Sequence, residues 1–322
     1  MKKKTLFFIG TFLVVYVLNF LIPSMMPGDP FLYMQEISES ASSYSEEDLQ
    51  SLRSYYGLDK PVGERFIQTV RNNLHGEFGQ SIFYKQSVRT VVLDRLPWTV
   101  FIMTMTLLLS LLIGVLLAGI SVQHPRFDAN LYHFMSVIAE IPAYLIGFLV
   151  LFLIAAKVKW IPVSGARTPF ANHATQMENL RDILLHALMP VLSLTIVTVP
   201  GFYFTSRTSF KTVLGKKYIL NAQAKGLSKY RILFSYILLN AVLPIVAHFF
   251  LSIGFAVGGT MLVENVFAYP GLGTTIRLAV RYRDYPLIQG VFLLSTAMVM
   301  ISSFVSDLIN YYLSRRTNAT NE

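Results

Sequence analysis

Residues 206–244 read SRTSFKTVLGKKYILNAQAKGLSKYRILFSYILLNAVLP and lie between two long apolar segments. This stretch contains neither Asp nor Glu, and its cations have no acidic neighbour within it. Lys and Arg residues beside membrane spans resist translocation, so the stretch is predicted to be a cytoplasmic loop. The seven cations are Arg207, Lys211, Lys216, Lys217, Lys225, Lys229 and Arg231.

The spacing of small and apolar residues within the stretch predicts a short helix with one apolar or small face. Gly226 is expected to end this helix, and a second helix is expected from Lys229 to Leu239. A helix, a glycine break and a second helix would form a protruding cytoplasmic knob. The residues at intervals of three and four are Leu214, Tyr218, Ile219, Ala222 and Gly226.

Two interpretations of this knob are open from the residues alone. One is a loop that is basic only because membrane topology requires it. The other is a docking element for a soluble partner, because Ala222, Ala224 and Gly226 would let another backbone come close. The cations would then meet an acidic rim on that partner.

The composition is that of a polytopic membrane protein. The chain has 322 residues, of which 53% are hydrophobic and 14% charged, and its mean hydropathy is +0.51. Soluble domains have about 25% charged residues. Anionic lipid and topology explain the net charge of +9 better than nucleic acid does. The lack of cysteine excludes disulfides, thiol catalysis and cysteine-based metal sites.

Six apolar segments approach the ~20 residues that cross a bilayer. With the basic knob inside, they place both termini in the cytoplasm, and the first segment is expected to be retained rather than cleaved as a signal peptide. The expected fold is therefore an all-α polytopic membrane protein with six transmembrane helices. The segments are 5–22, 98–122, 134–156, 183–205, 238–263 and 286–313.

The polar segment after the first span is predicted to be an extracytoplasmic lobe. It has a mixed acid and base balance, and two helices are expected in it, Ser45 to Tyr56 with Ser45 as N-cap, and Val62 to Leu74. The expected divisions are a first transmembrane helix (1–23), the lobe (24–97), a core of five transmembrane helices (98–314) with a coupling loop (206–237), and a cytoplasmic tail (315–322).

No motif for nucleotide binding or catalysis is present. The sequence lacks G-x-x-x-x-G-K-[ST], H-E-x-x-H and G-x-S-x-G, so neither a P-loop nor these enzyme sites are expected. Two acids lie within predicted spans, where charge is costly. Glu140, before Pro142, is a candidate pathway residue or one that reaches the interface, and Asp307 is a candidate structural hydrogen-bonding residue.

Several short motifs resemble one family in order along almost the whole chain. Residues 221–227 (NAQAKGL) and 236–244 (YILLNAVLP) resemble the EAA loop of ABC importer permeases, most closely the oligopeptide, dipeptide and nickel branch. The others are PGDP (27–30), YGLDKP (56–61), GEFGQS (76–81), RLP (95–97), ENVF with PGLG (264–273) and RDYP (283–286).

The resemblance implies a transport subunit of the prokaryotic plasma membrane with no cofactor of its own. Its partners would be a second homologous permease, two ATPase subunits that bind ATP and Mg, and an extracytoplasmic binding protein. The implied ATPase-docking residues are Asn221, Ala222, Ala224, Lys225, Gly226 and Leu227. The loop departs from the family signature where Leu220 and Tyr236 replace the usual glutamate and histidine.

The transported solute stays open at this point, with peptides and nickel chelates both compatible with the branch. The alternative function is a stand-alone, ion-coupled secondary transporter. That class needs broken helices with coupling-ion sites and an inverted repeat, and neither is clear in the sequence.

Overall fold

The structure, a computed structural model, describes residues 2–26, 28–37, 45–155, 157–158, 160–171 and 175–319. This part of the chain is helical nearly throughout, and its one β pairing is an isolated bridge between Gln80 and Ser87. The helices are α1 (Lys2–Ser24), α2 (Pro30–Ile37), α3 (Glu46–Tyr55), α4 (Val62–Leu74), α5 (Val88–Gln123), α6 (Pro125–Ala139), α7 (Ala143–Ala155), α8 (Gln176–Leu214), α9 (Lys217–Ala224), α10 (Lys229–Arg231), a π-helical segment (Ile232–Leu238), α11 (Leu239–Val266), α12 (Leu272–Arg281) and α13 (Tyr285–Ala319).

Five of the described helical stretches are long and apolar enough to cross a membrane. They are α1, α5, α8, the π-helical segment continued by α11, and α13. The pair α6 and α7 makes a sixth span if it is counted as one. The all-α polytopic fold is therefore confirmed, and the third of the six predicted spans is a broken helix.

The break between α6 and α7 bends the chain by 98°. Pro142 has no N–H and cannot continue a helical hydrogen-bond ladder. The Glu140 N–H bonds to the carbonyl of Val137 at 3.3 Å, one residue short of α-helical spacing. The chain between the second and third predicted spans is the start of α6, because Pro125 occupies a first helical position, where proline is well tolerated.

Two other spans extend beyond their predicted limits. Helix α5 begins at Val88 rather than Trp98, and α8 runs from Gln176 to Leu214. Apolar composition marks only the part of a helix that lies in hydrocarbon, so polar turns that continue the helix outside it are missed.

One compact unit consists of Met1–Pro97 and Gly271–Ala297. Its small core contains Phe31, Leu49 and Ile82. Helix α3 has the predicted cap, in which Ser45 accepts from the Asp48 N–H and the Asp48 carboxylate accepts from the Ser45 N–H. Helix α4 has the predicted bounds, whereas α2 and α12 were not predicted.

Asp284 holds the start of α13 within this unit. Its carboxylate is fully buried and accepts from the Ser81 hydroxyl at 2.5 Å, the Phe83 N–H at 3.0 Å and the Leu287 N–H at 3.2 Å. Burial raises the pKa of Asp284, and these hydrogen bonds oppose that rise only in part. The carboxylate thereby fixes the segment near Ser81 against the first turn of α13.

The second compact unit consists of Trp98–Pro270 and Met298–Glu322. Helix α8 packs against α6, α7 and α11 and contributes the fully buried Met189, Phe202 and Tyr203. Helix α5 approaches α8 closely at Gly114. A Cβ at this glycine would lie 2.6 Å from the Phe202 Cβ and 2.9 Å from the Tyr203 nitrogen.

The three glycines of the fifth span, Gly254, Gly258 and Gly259, differ in how closely other helices approach them. A Cβ at Gly254 would lie 3.3 Å from the Val299 Cγ1 atom, and a Cβ at Gly259 would lie 3.7 Å from the Leu194 Cδ2 atom. A Cβ at Gly258 would meet open space, so this residue is not a packing contact within the chain. The close contact between α5 and α8 instead requires a glycine at position 114, which the sequence alone did not indicate.

The substitutions Gly114→Ala and Gly258→Ala make a matched pair of span glycines. We expect Gly114→Ala to lower the midpoint of thermal unfolding in detergent, with overpacking costing about 1–3 kcal/mol. Gly258→Ala is expected to leave the midpoint unchanged or raise it slightly, because alanine favours the helix. Equal effects of the two substitutions would contradict the close approach at Gly114.

Candidate functional site

The basic segment between the fourth and fifth predicted spans forms the predicted short helix, α9. Helix α8 ends at Leu214, and α9 follows after two residues, from Lys217 to Ala224. Gly226 has a φ of +71°, in the left-handed region that favours glycine. Its N–H bonds to the Gln223 carbonyl at 2.9 Å, and the turn closes the helix as predicted.

One face of α9 is anchored in the protein interior. Ile219 and Ala222, three residues apart, are 0% and 3% exposed. They belong to a cluster that includes Phe210 of α8, Ile232 of the π-helical segment and Leu131 of α6. The short helix is therefore held on several sides rather than loosely attached.

The opposite face of α9 is exposed and contains most of the predicted docking residues. Asn221, Ala224, Lys225 and Gly226 are exposed and Leu227 is half-buried. Leu220, which replaces the family's usual glutamate, is 62% exposed.

Ala222 has a different position from its predicted one. The sequence analysis placed it on the docking face, but it lies on the buried face and packs within the chain. Its small side chain supports the seat of α9 and does not reach the surface. On the same helix, burial raises the pKa of Tyr218, whose side chain lies partly against the protein.

Two cations of the segment, Arg207 and Lys211, pair with an acid that lies outside it, Asp128. The Arg207 guanidinium donates to both oxygens of Asp128, at 2.6 and 2.7 Å, and Lys211 Nζ donates to Oδ2 at 2.6 Å. Asp128 lies in the first turn of α6 and is buried. The pairing joins α6 to the last part of α8, just before α9.

Two hydroxyl groups complete the surroundings of Asp128. The Ser121 hydroxyl donates to its carboxylate, and the Ser121 oxygen lies 2.9 Å from the hydroxyl of Tyr203. The Arg207 guanidinium also stacks over the ring of Tyr132, 4.8 Å from the ring centre. The sequence analysis did not predict this network. The available signal was Asp128 itself, a single acid between the second and third predicted spans, on the same predicted side as the basic loop.

The two acids predicted within spans lie elsewhere. Glu140 is exposed at the bend between α6 and α7, and its carboxylate has no hydrogen-bond or ion-pair partner among the described residues. Asp307 is half-buried on α13 and does take part in an interaction. Within the described ranges no group of three or more His, Asp or Glu side chains is arranged to hold a metal ion.

Asp128→Asn removes the negative charge but keeps the shape. It leaves Arg207 and Lys211 close together without a counter-charge, and we expect a loss of about 1.5–3 kcal/mol for the charge-assisted hydrogen bonds. The midpoint of thermal unfolding in detergent should fall. Asp59→Asn, the same change at an exposed aspartate, is the matched control and should leave the unfolding midpoint unchanged. A second substitution, Lys211→Gln, should recover part of the loss, and an unchanged midpoint in Asp128→Asn would contradict the network's role.

Comparison with known proteins identifies the family. Residues 110–319 match the family described as "Binding-protein-dependent transport system inner membrane component". This range includes α9, the bent helix pair and Asp128. It covers more than half of the chain.

The full-length relatives are transport permeases. The chain is 28% identical over 310 residues to the oligopeptide transport system permease protein AppB of Bacillus subtilis, covering 95% of each protein. It is 29% identical over 317 residues to a putative peptide permease protein of Brucella suis (97% and 96% coverage). It is 29% identical over 310 residues to the glutathione transport system permease protein GsiC of Escherichia coli K12 (95% and 94%). The chain belongs to the family of inner membrane components of binding-protein-dependent transport systems and is a multi-pass permease of the prokaryotic plasma membrane.

Proposed function

We propose that this chain is one of two permease subunits of an ATP-driven ABC importer, and that its cargo is peptides. The observation that carries the proposal is the family match together with α9, an anchored helix with an exposed face at the EAA position. The relatives' names supply the cargo, since they specify oligopeptide, peptide and glutathione transport. Neither the family nor these names favours a stand-alone ion-coupled carrier.

The exposed face of α9 would dock into a groove on an ATPase subunit. Asn221, Ala224, Lys225 and Gly226 would contact that groove, and the exposed Leu220 would add apolar area to it. The ATPase subunits would bind ATP and Mg, because the permease sequence contains no P-loop.

Transmission of movement depends on the buried side of the same helix. Because Ile219 and Ala222 are fixed in a cluster shared with α6 and α8, a displacement of α9 would carry those helices with it. Packed interfaces move as units rather than deform continuously. ATP-driven closure of the ATPase subunits would in this way switch the pathway, and an extracytoplasmic binding protein would deliver the peptide.

Reconstitution of the chain with its second permease, ATPase subunits and binding protein tests the proposal. Proteoliposomes should take up a radiolabelled peptide only when ATP and the binding protein are both supplied. In the same assay Gly226→Asp should reduce both ATPase capture and uptake by about tenfold or more, because charge and bulk would enter the contact surface. A Cβ at Gly226 meets no atom within 4 Å, but any side chain is strained at its φ of +71°. Gly226→Asn brings the same strain without the charge, and it should retain more capture and uptake than Gly226→Asp.

The control for the added charge and bulk is Gly63→Asp, which makes the same change at an exposed, open glycine within α4. It should leave capture and uptake at wild-type levels. Normal uptake by Gly226→Asp would refute the docking role of α9. Uptake driven by a proton gradient with this chain alone would refute the importer.

A further inference from the structure

A polar cavity of about 280 Å³ lies within the unit that contains the predicted extracytoplasmic lobe. Its walls come from α4, the turn after α3, the segment near Gly79 and the start of α13. The volume is close to the lower end of the range for ligand pockets, roughly 300–1,000 Å³. Such a space suits a small solute or the end of a larger one.

Helix α4 turns a polar face to this cavity. Arg65, Thr69 and Asn72 line it at i, i+4 and i+7 spacing, which places them on one side of the helix. Ile67 and Leu74, at other positions of α4, are 69% and 82% exposed. In an ordinary amphipathic helix the apolar face is buried, whereas α4 turns polar side chains to the cavity and leaves these apolar ones exposed.

The wall formed by α4 is fixed in place. Two contacts join α4 to α1. The Asn73 amide donates to the hydroxyl of Tyr16 on α1 at 2.8 Å. The ring centres of Phe66 and of Phe20 on α1 lie 5.1 Å apart. These contacts hold α4 against α1. The cavity is therefore built from packed helices and not from one loose loop.

The charges on the cavity wall favour an anion. Its cations are Lys60, which pairs with Glu64 at 3.1 Å, and Arg65. The one acid among the lining residues is Glu77, which is exposed. The Arg65 side chain is half-buried and makes no hydrogen bond or ion pair with any described residue.

Burial lowers the pKa of Arg65, and its electrostatic interaction with Tyr285, another residue of the cavity wall, opposes that fall only in part. Gln68, Asn72 and Gln289 also line the cavity, and their amides have no side-chain hydrogen bond in the described part of the chain. A guanidinium presents a planar fork that matches a carboxylate, and amide groups can complete the recognition of such a ligand.

We propose that this cavity binds the carboxylate of a small solute, of the class of a peptide's free C-terminus, through the Arg65 guanidinium. The choice of a peptide rests on the proposed function, but the preference for a carboxylate rests on the cavity itself. Gln68, Asn72 and Gln289 would hydrogen-bond the rest of the ligand. The site would hold peptide on the lobe before it enters the membrane pathway.

The test uses the full-length chain in its assembled importer, in nanodiscs without the binding protein. Calorimetric titration with the dipeptide Ala-Ala should give saturable binding, and the C-terminal amide of Ala-Ala should bind about tenfold or more weakly, since it lacks the carboxylate. Arg65→Gln should weaken Ala-Ala binding by a similar factor. Arg71→Gln, on the exposed side of the same helix, should bind like wild type.

Three results would overturn the proposal: no saturable Ala-Ala binding by wild type, equal affinity for the acid and the amide, or equal affinities of the Arg65 and Arg71 variants. A fourth would be weaker docking of the binding protein to Arg65→Gln with unchanged Ala-Ala affinity, which would mean that the cavity receives a protein carboxylate instead. Unfolding midpoints of both variants check the fold. ATP-driven uptake by wild type is measured separately, so failure of this site and failure of the importer function can be distinguished.

Discussion

The carboxylate of Asp128 joins two parts of the chain that are far apart in sequence. By accepting from Arg207 and Lys211 it ties the first turn of α6 to the end of α8, and α9 begins only a few residues later. The apolar cluster around Ile219 then seats α9 on the same two helices. A short helix can pass on a movement only if it is held in this way, so the proposed coupling depends on this ion-pair network and cluster.

The ion pairs of Asp128 connect α9 to the bent helix pair α6 and α7. Asp128 and the exposed Glu140 lie at opposite ends of α6, and the 98° bend follows directly after Glu140. A displacement of α9 that is carried through Asp128 would reach the bend along one continuous helix. Helix termini next to breaks are places where a large change of backbone angle can be absorbed.

Much of this arrangement could be predicted from the sequence, and the exceptions have physical causes. The glycine turn at Gly226 and the limits of α4 depend on local chemistry, so local patterns sufficed. Periodicity also showed that Ile219 and Ala222 share a face, but it could not show that this face points inward. The pairing of Asp128 with Arg207 depends on tertiary structure, which no local pattern reports. The cavity on the lobe was missed for a related reason, since a polar face on an outer helix is normally assigned to solvent.

Cysteine cross-linking tests the central claim, that the exposed face of α9 contacts an ATPase subunit, most directly. The chain has no native cysteine, so a single cysteine can be placed at Leu220 or at the buried Ala222 of the same helix. In the assembled importer, a short bifunctional reagent should link Leu220→Cys to the ATPase subunit with high yield and Ala222→Cys hardly at all. Absence of a link from Leu220→Cys, or equal yields at the two positions, would contradict the account.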